Sequence, residues 1–145
     1  MISLVIDASV AIKWVVEEHG TVEALALRQF RLLAPDLLVA ECADILWNKV
    51  RRKELTEREA LLYAEFLEQA DVELIPMRPM LDAAVQLAMA LGHPACDCFY
   101  LACARSAGVP FVTADERLCA KARSWSLDTP VVALADTSGD AVWRS

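Results

Sequence analysis

MISLVIDASVAIKWVVEE, residues 1–18, holds the decision about the fold. Residues 2–6 are an apolar run that stops at Asp7, and residues 9–16 then carry apolar side chains at helical spacing. A short apolar run that turns at an acid into a helix reads as a buried strand feeding a crossover helix. The rest of the chain repeats the pattern. A helix over about 21–31 leads to a brief strand at 32–35, and Asp36 offers an N-cap for a helix running to about Lys53. Thr56 with Glu59 three residues later forms a capping-box pattern for the next helix. A strand over 72–77 precedes a helix with Leu81, Ala84, Val85, Ala88 and Leu91 on one face, stopped by Gly92. A further helix begins near Asp97, apolar all round from Cys98 to Ala104 and ended by Gly108, which marks it as packed on several sides. A strand over 109–113, a helix over 116–125 and a last strand over 130–134 complete the series. Such alternation implies parallel strands with crossover helices on both faces of one sheet, an α/β fold. Only the tail from Asp136 is expected to be weakly tied down.

The 145 residues suit a single domain, 1–145, with one core, and a chain 57% hydrophobic and 24% charged does not have a disordered composition. Mean hydropathy is +0.35, yet no stretch reaches the roughly 18 apolar residues of a spanning helix. The N-terminus lacks a basic leader, with Asp7 and Lys13 inside its apolar part, so a cytoplasmic protein without membrane association is expected. The five cysteines, Cys42, Cys96, Cys98, Cys103 and Cys119, are odd in number and scattered through apolar sequence. They read as reduced thiols in a core, and Cys96 and Cys98 stand too close for a zinc knuckle. A net charge of −7 excludes a broad basic face for nucleic acid, unless much of the negative charge is gathered in one cation-binding cluster.

The acids point to such a cluster. Asp7 ends the first strand and Asp115 follows the strand over 109–113, so both lie at carboxyl ends. In a parallel sheet the helix after each strand starts at that same edge, which returns Asp97 and Glu41 there, where such folds bind ligands. Glu41 shares a helical stripe with Leu37, Leu38 and Ile45, where a lone carboxylate would be costly. Two carboxylates about 5 Å apart repel by roughly 3 kcal/mol at an effective dielectric near 20, so the cluster retains protons or recruits cations, and all-oxygen ligands select Mg²⁺ or Mn²⁺. Helix capping is the competing account for Asp7, Asp36, Asp97 and Asp115, but it does not explain Glu41.

The pieces VIDASV with Asp7 and Ser9, LLVAEC with Glu41, ACDCFYLACA with Asp97, and VTADERL with Thr113 and Asp115 resemble, in order and spacing, the PIN-domain ribonucleases, and among them the VapC-type toxins of toxin–antitoxin pairs. The resemblance spans nearly the whole chain. It implies a three-layer α/β/α sandwich around a mainly parallel sheet of about five short strands. It also implies a Mg²⁺- or Mn²⁺-dependent endoribonuclease that leaves a 5′-phosphate, with Asp7, Glu41, Asp97 and Asp115 as catalytic and metal-holding residues. Its partners would be an RNA substrate, a cognate VapB-type antitoxin and, as a homodimer, a second copy. Ser9 and Thr113 would orient carboxylates, with ordinary hydroxyl capping as the alternative.

Weaker candidates surround this core. Lys13, Arg51 and Arg52, with Lys49 and Lys53, could meet RNA phosphates, although a basic helix end also complements the helix dipole. Trp14 is explained by core packing or by contact with a nucleotide or a partner. His93 reads as a loop residue, and Phe99 and Tyr100 as packing aromatics without a catalytic role. Two other functions compete: a phosphatase-like enzyme with Asp7 as nucleophile, which commonly wants a second acid where Ser9 stands, and a non-catalytic domain whose acidic pocket binds a cation or a basic peptide.

Overall fold

The computed structural model describes residues 1–138. The last seven residues, and with them most of the tail expected to be loosely held, lie outside the described residues. Five short strands form one wholly parallel sheet: β1 (Ser3–Ile6), β2 (Arg31–Pro35), β3 (Glu73–Ile75), β4 (Phe111–Thr113) and β5 (Val131–Ala133), in the order β3-β2-β1-β4-β5. Among the described residues, seven α-helices connect them: α1 (Ala8–Ala11), α2 (Thr21–Ala26), α3 (Leu37–Arg51), α4 (Glu57–Glu68), α5 (Leu81–Leu91), α6 (Ala95–Ala107) and α7 (Glu116–Ala122).

β2 and β3 build outward on one side of β1, and β4 and β5 on the other, so the direction of winding reverses between β1 and β4. That reversal opens a crevice at the carboxyl ends of these two strands. Leu4, Val5 and Ile6 have no solvent exposure, so both faces of β1 are covered, as a central parallel strand requires. α6 packs on β1, β2 and β4 and against α5, while α1 packs on α3 and α3 on α4. Cys98, Tyr100, Leu101, Ala102, Cys103 and Ala104 of α6 are all buried, in accord with its apolar circumference.

Several boundaries differ from the sequence expectation. The first helix is one α-turn continued by a 3₁₀ turn at Ile12–Trp14, and the second likewise tightens at Leu27–Gln29. β3, β4 and β5 have three residues each, and the apolar Val72, Val109 and Leu134 beside them pack on the core. Asp36 stands at the N-cap of α3 in helical backbone and its side chain makes no capping bond. α6 starts two residues before Asp97, with Pro94 at its N-cap, since Pro fits a helix start without losing a needed N–H. Capping therefore does not account for Asp97. The Thr56–Glu59 capping box forms as expected, and Gly92 and Gly108 end α5 and α6 in left-handed backbone, at φ +62° and +67°. Four of the cysteines are buried free thiols, whereas Cys96 is exposed and is no part of the core. No single helix among the described residues is long and apolar enough to cross a membrane.

Candidate active site

Asp7 leaves β1 at the crevice and caps α1. Its Oδ1 accepts from the Ser9 backbone N–H at 3.1 Å and the Ser9 hydroxyl at 2.5 Å, and its Oδ2 accepts from the Thr113 hydroxyl at 2.6 Å. The two hydroxyls are fixed in turn: Ser9 Oγ accepts from Ala114 N–H at 2.9 Å, and Thr113 Oγ1 from Asp115 N–H at 3.1 Å. The two residues expected to orient carboxylates thus both grip one, and they stitch the end of β1 to the end of β4. Asp7 is only 7% exposed. Burial pushes its carboxyl up to about 6 against the pull of the hydroxyl bonds, and the charges of Glu41 and Asp97 add to the rise.

Glu41, in the second turn of α3, is half-buried on the stripe with Leu38. Its Oε1 accepts a short hydrogen bond from the hydroxyl of Tyr100 on α6. Burial raises the Glu41 carboxyl above the usual range, the Tyr100 bond opposes that, and the charges of Asp97 and Asp44 add to the rise. Tyr100 is fully buried with its ring stacked on Phe111, centroids 5.7 Å apart, and its hydroxyl is pushed far up by burial and by Glu41. It therefore stays a donor. Asp97 occupies the first turn of α6, and its Oδ2 lies 2.7 Å from His93 Nε2. Asp115 is exposed and caps α7, its Oδ1 accepting from Arg117 and Leu118 N–H at 3.0 and 3.1 Å.

Asp7, Glu41 and Asp97 accordingly stand within electrostatic reach of one another, and Asp115 sits next to Thr113 on the rim. Among the described residues, no three His, Cys, Asp or Glu side chains are drawn close enough to enclose an ion as a ready-made cage. The donor set nevertheless suits Mg²⁺ or Mn²⁺. These hard cations take oxygen ligands, and Mg²⁺ keeps several waters while binding through one or two carboxylates, so it does not require a closed protein cage. A buried carboxylate that its acidic neighbours raise further is also what a divalent charge relieves.

The basic candidates are otherwise engaged. Lys13 Nζ donates to Glu18 at 3.1 Å and to the His19 carbonyl at 2.7 Å, and Lys49 reaches the other oxygen of Glu18 at 3.2 Å. Burial would raise the Glu18 carboxyl, but the two lysines outweigh it and hold it below the usual range. Arg51 lies over the Trp47 ring at 5.1 Å and donates to Asn48, and Arg52 pairs with Glu54; both arginines are exposed. Trp14 donates its indole N–H to the Ala24 carbonyl at 2.8 Å, which supports the packing account. Sequence reasoning missed two residues at the site, His93 and Tyr100. For Tyr100 a signal existed, since a tyrosine inside a helix buried all round must place its hydroxyl on an acceptor. His93 precedes the helix, across Pro94, and nothing in the local pattern shows that it turns back to Asp97.

A model of the PIN domain matches residues 4–124 of the chain. Similar folds occur in the crystal structure of PAE2754 from Pyrobaculum aerophilum (TM-score 0.69, 19% identity, covering 92% of this chain and 85% of that one). Two more are FitAB bound to an IR36 DNA fragment (0.65, 16%, 94% and 99%) and Mycobacterium tuberculosis VapC20, described as a toxin cleaving the sarcin-ricin loop (0.56, 15%, 77% and 87%). No curated protein sequence matches the chain significantly.

Proposed function

Because this chain belongs to the PIN domain family, a family of nucleases, we propose that it is a Mg²⁺- or Mn²⁺-dependent endoribonuclease acting as the toxin of a toxin–antitoxin pair. The observation that carries this reading is Asp7: a carboxyl buried at the winding reversal, clamped by two hydroxyls and raised by two neighbouring acids. A fold keeps so unfavourable an arrangement where a cation completes it.

Asp7, Asp97 and Asp115 would hold the ion, with Glu41 as a further ligand through water or as a proton acceptor. A bound divalent cation would supply an activated water at neutral pH and offset charge on the scissile phosphate. The chain's own groups set the geometry. Ser9 and Thr113 fix the plane of the Asp7 carboxylate, Tyr100 occupies one oxygen of Glu41 and leaves the other available, and the α7 cap does the same for Asp115. Each acid is thereby aimed before substrate arrives, which lowers the reorganisation needed at the transition state. Hydrolysis would leave a 5′-phosphate.

The fold likeness to a sarcin-ricin loop cleaving toxin supports RNA as substrate, and the family resemblance supports a VapB-type antitoxin and a homodimer. Exposed Val39, Trp47, Leu61, Phe66, Leu81 and Met89 provide apolar surface for such partners. A phosphatase with Asp7 as nucleophile is disfavoured, because the position of the second acid that such chemistry commonly wants is a serine that bonds to Asp7. The deciding experiment is cleavage of single-stranded RNA by the partner-free protein with Mg²⁺ or Mn²⁺, against EDTA and against Asp97→Asn. Cleavage lost in both controls is expected, and a fully active Asp97→Asn variant would refute the site.

A further inference from the structure

His93 sits between two charged groups. Its Nε2 lies 2.7 Å from Asp97 Oδ2, its Nδ1 lies 2.7 Å from the ammonium of Lys121, and the Trp125 ring packs edge-on against it at 5.3 Å. The side chain is 8% exposed, so its ring nitrogens depend on these protein partners. An ammonium has only N–H groups to offer, so Lys121 donates and Nδ1 accepts. The ring proton is then on Nε2, and it is donated to Asp97. Lys121 belongs to α7, the helix that Asp115 caps, whereas Asp97 belongs to α6. One chain of hydrogen bonds therefore ties together the two elements that bring these acids to the crevice.

We propose that His93, locked in the Nε2–H tautomer by Lys121, is the positioning residue for Asp97: it holds Oδ2, leaves Oδ1 for a divalent cation, and fixes the α6 start against α7. The inference rests on the metal-dependent reading above and adds to it. Partners in the outer sphere of a metal ligand typically change affinity by roughly 10–100-fold when removed.

The test uses the full chain and Mn²⁺ as probe. Nitrogen-15 NMR of the histidine ring should show a protonated Nε2 and an unprotonated Nδ1 at His93, with this pattern lost in Lys121→Met. Mn²⁺ affinity, read by electron paramagnetic resonance, should fall roughly 10–100-fold in His93→Ala. His93→Gln, whose amide can donate to Asp97 and accept from Lys121, should restore most of it, with circular dichroism confirming that each variant folds. A protonated Nδ1, wild-type affinity in His93→Ala, or a His93→Gln variant as weak as His93→Ala would overturn the proposal while leaving the metal reading intact. A wild-type protein that shows the expected tautomer but binds no Mn²⁺ would instead sink the metal reading, and the positioning role with it.

Discussion

Asp7 and Asp97 face the same crevice but are held in opposite ways. Asp7 is enclosed by the ends of β1 and β4, both oxygens taken by hydroxyls of the core, and its carboxyl is raised to about 6. Asp97 stands in the first turn of α6 with its side chain about a third exposed (32%), held through one oxygen by an imidazole that reaches in from the preceding loop. One acid is positioned by the core and burdens it with a buried charge. The other is positioned from the surface and leaves the core unaffected. Function and stability should therefore be coupled at Asp7 and separable at Asp97.

The largest expected effect is on chemistry. Asp97→Asn should lower metal-dependent RNA cleavage by more than about 100-fold, beyond the range typical of outer-sphere partners. Its unfolding free energy should move by less than about 1 kcal/mol, because Asn keeps an acceptor oxygen for His93. A large loss of stability in urea denaturation would break the contrast. Asp7→Asn should abolish cleavage as fully, yet stabilise the metal-free protein at pH 7. The carboxyl rises from 3.8 to about 6, which sets a ceiling of about 3 kcal/mol, and a gain of about 1–3 kcal/mol is expected. The sign follows from proton binding. The folded state binds this proton more tightly than the unfolded one, so the group's contribution is complete below about pH 4 and is lost as pH rises through about 6. Denaturation in EDTA across this window should show the decline in the wild type and a flatter profile in Asp7→Asn.

Much of this contrast was legible in the sequence, for identifiable reasons. The Asp7, Ser9 and Thr113 arrangement follows from strand ends: once β1 and β4 are neighbours, the last residue of β4 and those just past β1 must meet. Glu41 was legible because an acid on an apolar stripe conflicts with its surroundings. The Asp97 side was only half legible. The helix and its acid follow from periodicity, but what holds that acid depends on how a loop before a proline folds back and where α7 lands, and local pattern encodes neither. The lengths of β3, β4 and β5 were overestimated for a similar reason, since apolar residues flanking a strand look the same whether they pair or only pack.

Tyr100 offers a finer probe, because it serves both sides by bonding Glu41 from within α6. Tyr100→Phe removes the donor while keeping the ring stacked on Phe111. The loss should cost about 1 kcal/mol in unfolding free energy, discounted for the half-exposed acceptor. Glu41 should then take up protons at still higher pH, because burial remains and the opposing bond is gone. A cleavage rate that now rises over a more alkaline range than in the wild type would sharpen the role of Glu41, and an unchanged profile would remove it from the reacting groups.

The smallest effect is expected at Lys13, six residues beyond Asp7 in the 3₁₀ turn that continues α1. Its ammonium is committed to Glu18, which also binds Lys49 and so braces the loop before α2 against α3. Lys13→Met should cost less than about 1 kcal/mol, as for a partly exposed ion pair, and leave RNA cleavage and its salt dependence unchanged. If Lys13 instead neutralised a substrate phosphate, the variant would bind RNA more weakly and the logarithmic salt slope would flatten by about 0.7, the single-strand value for one phosphate contact. That result would bring a cation from the element that follows Asp7 into the substrate path, and the Asp7 side could no longer be described by core geometry alone.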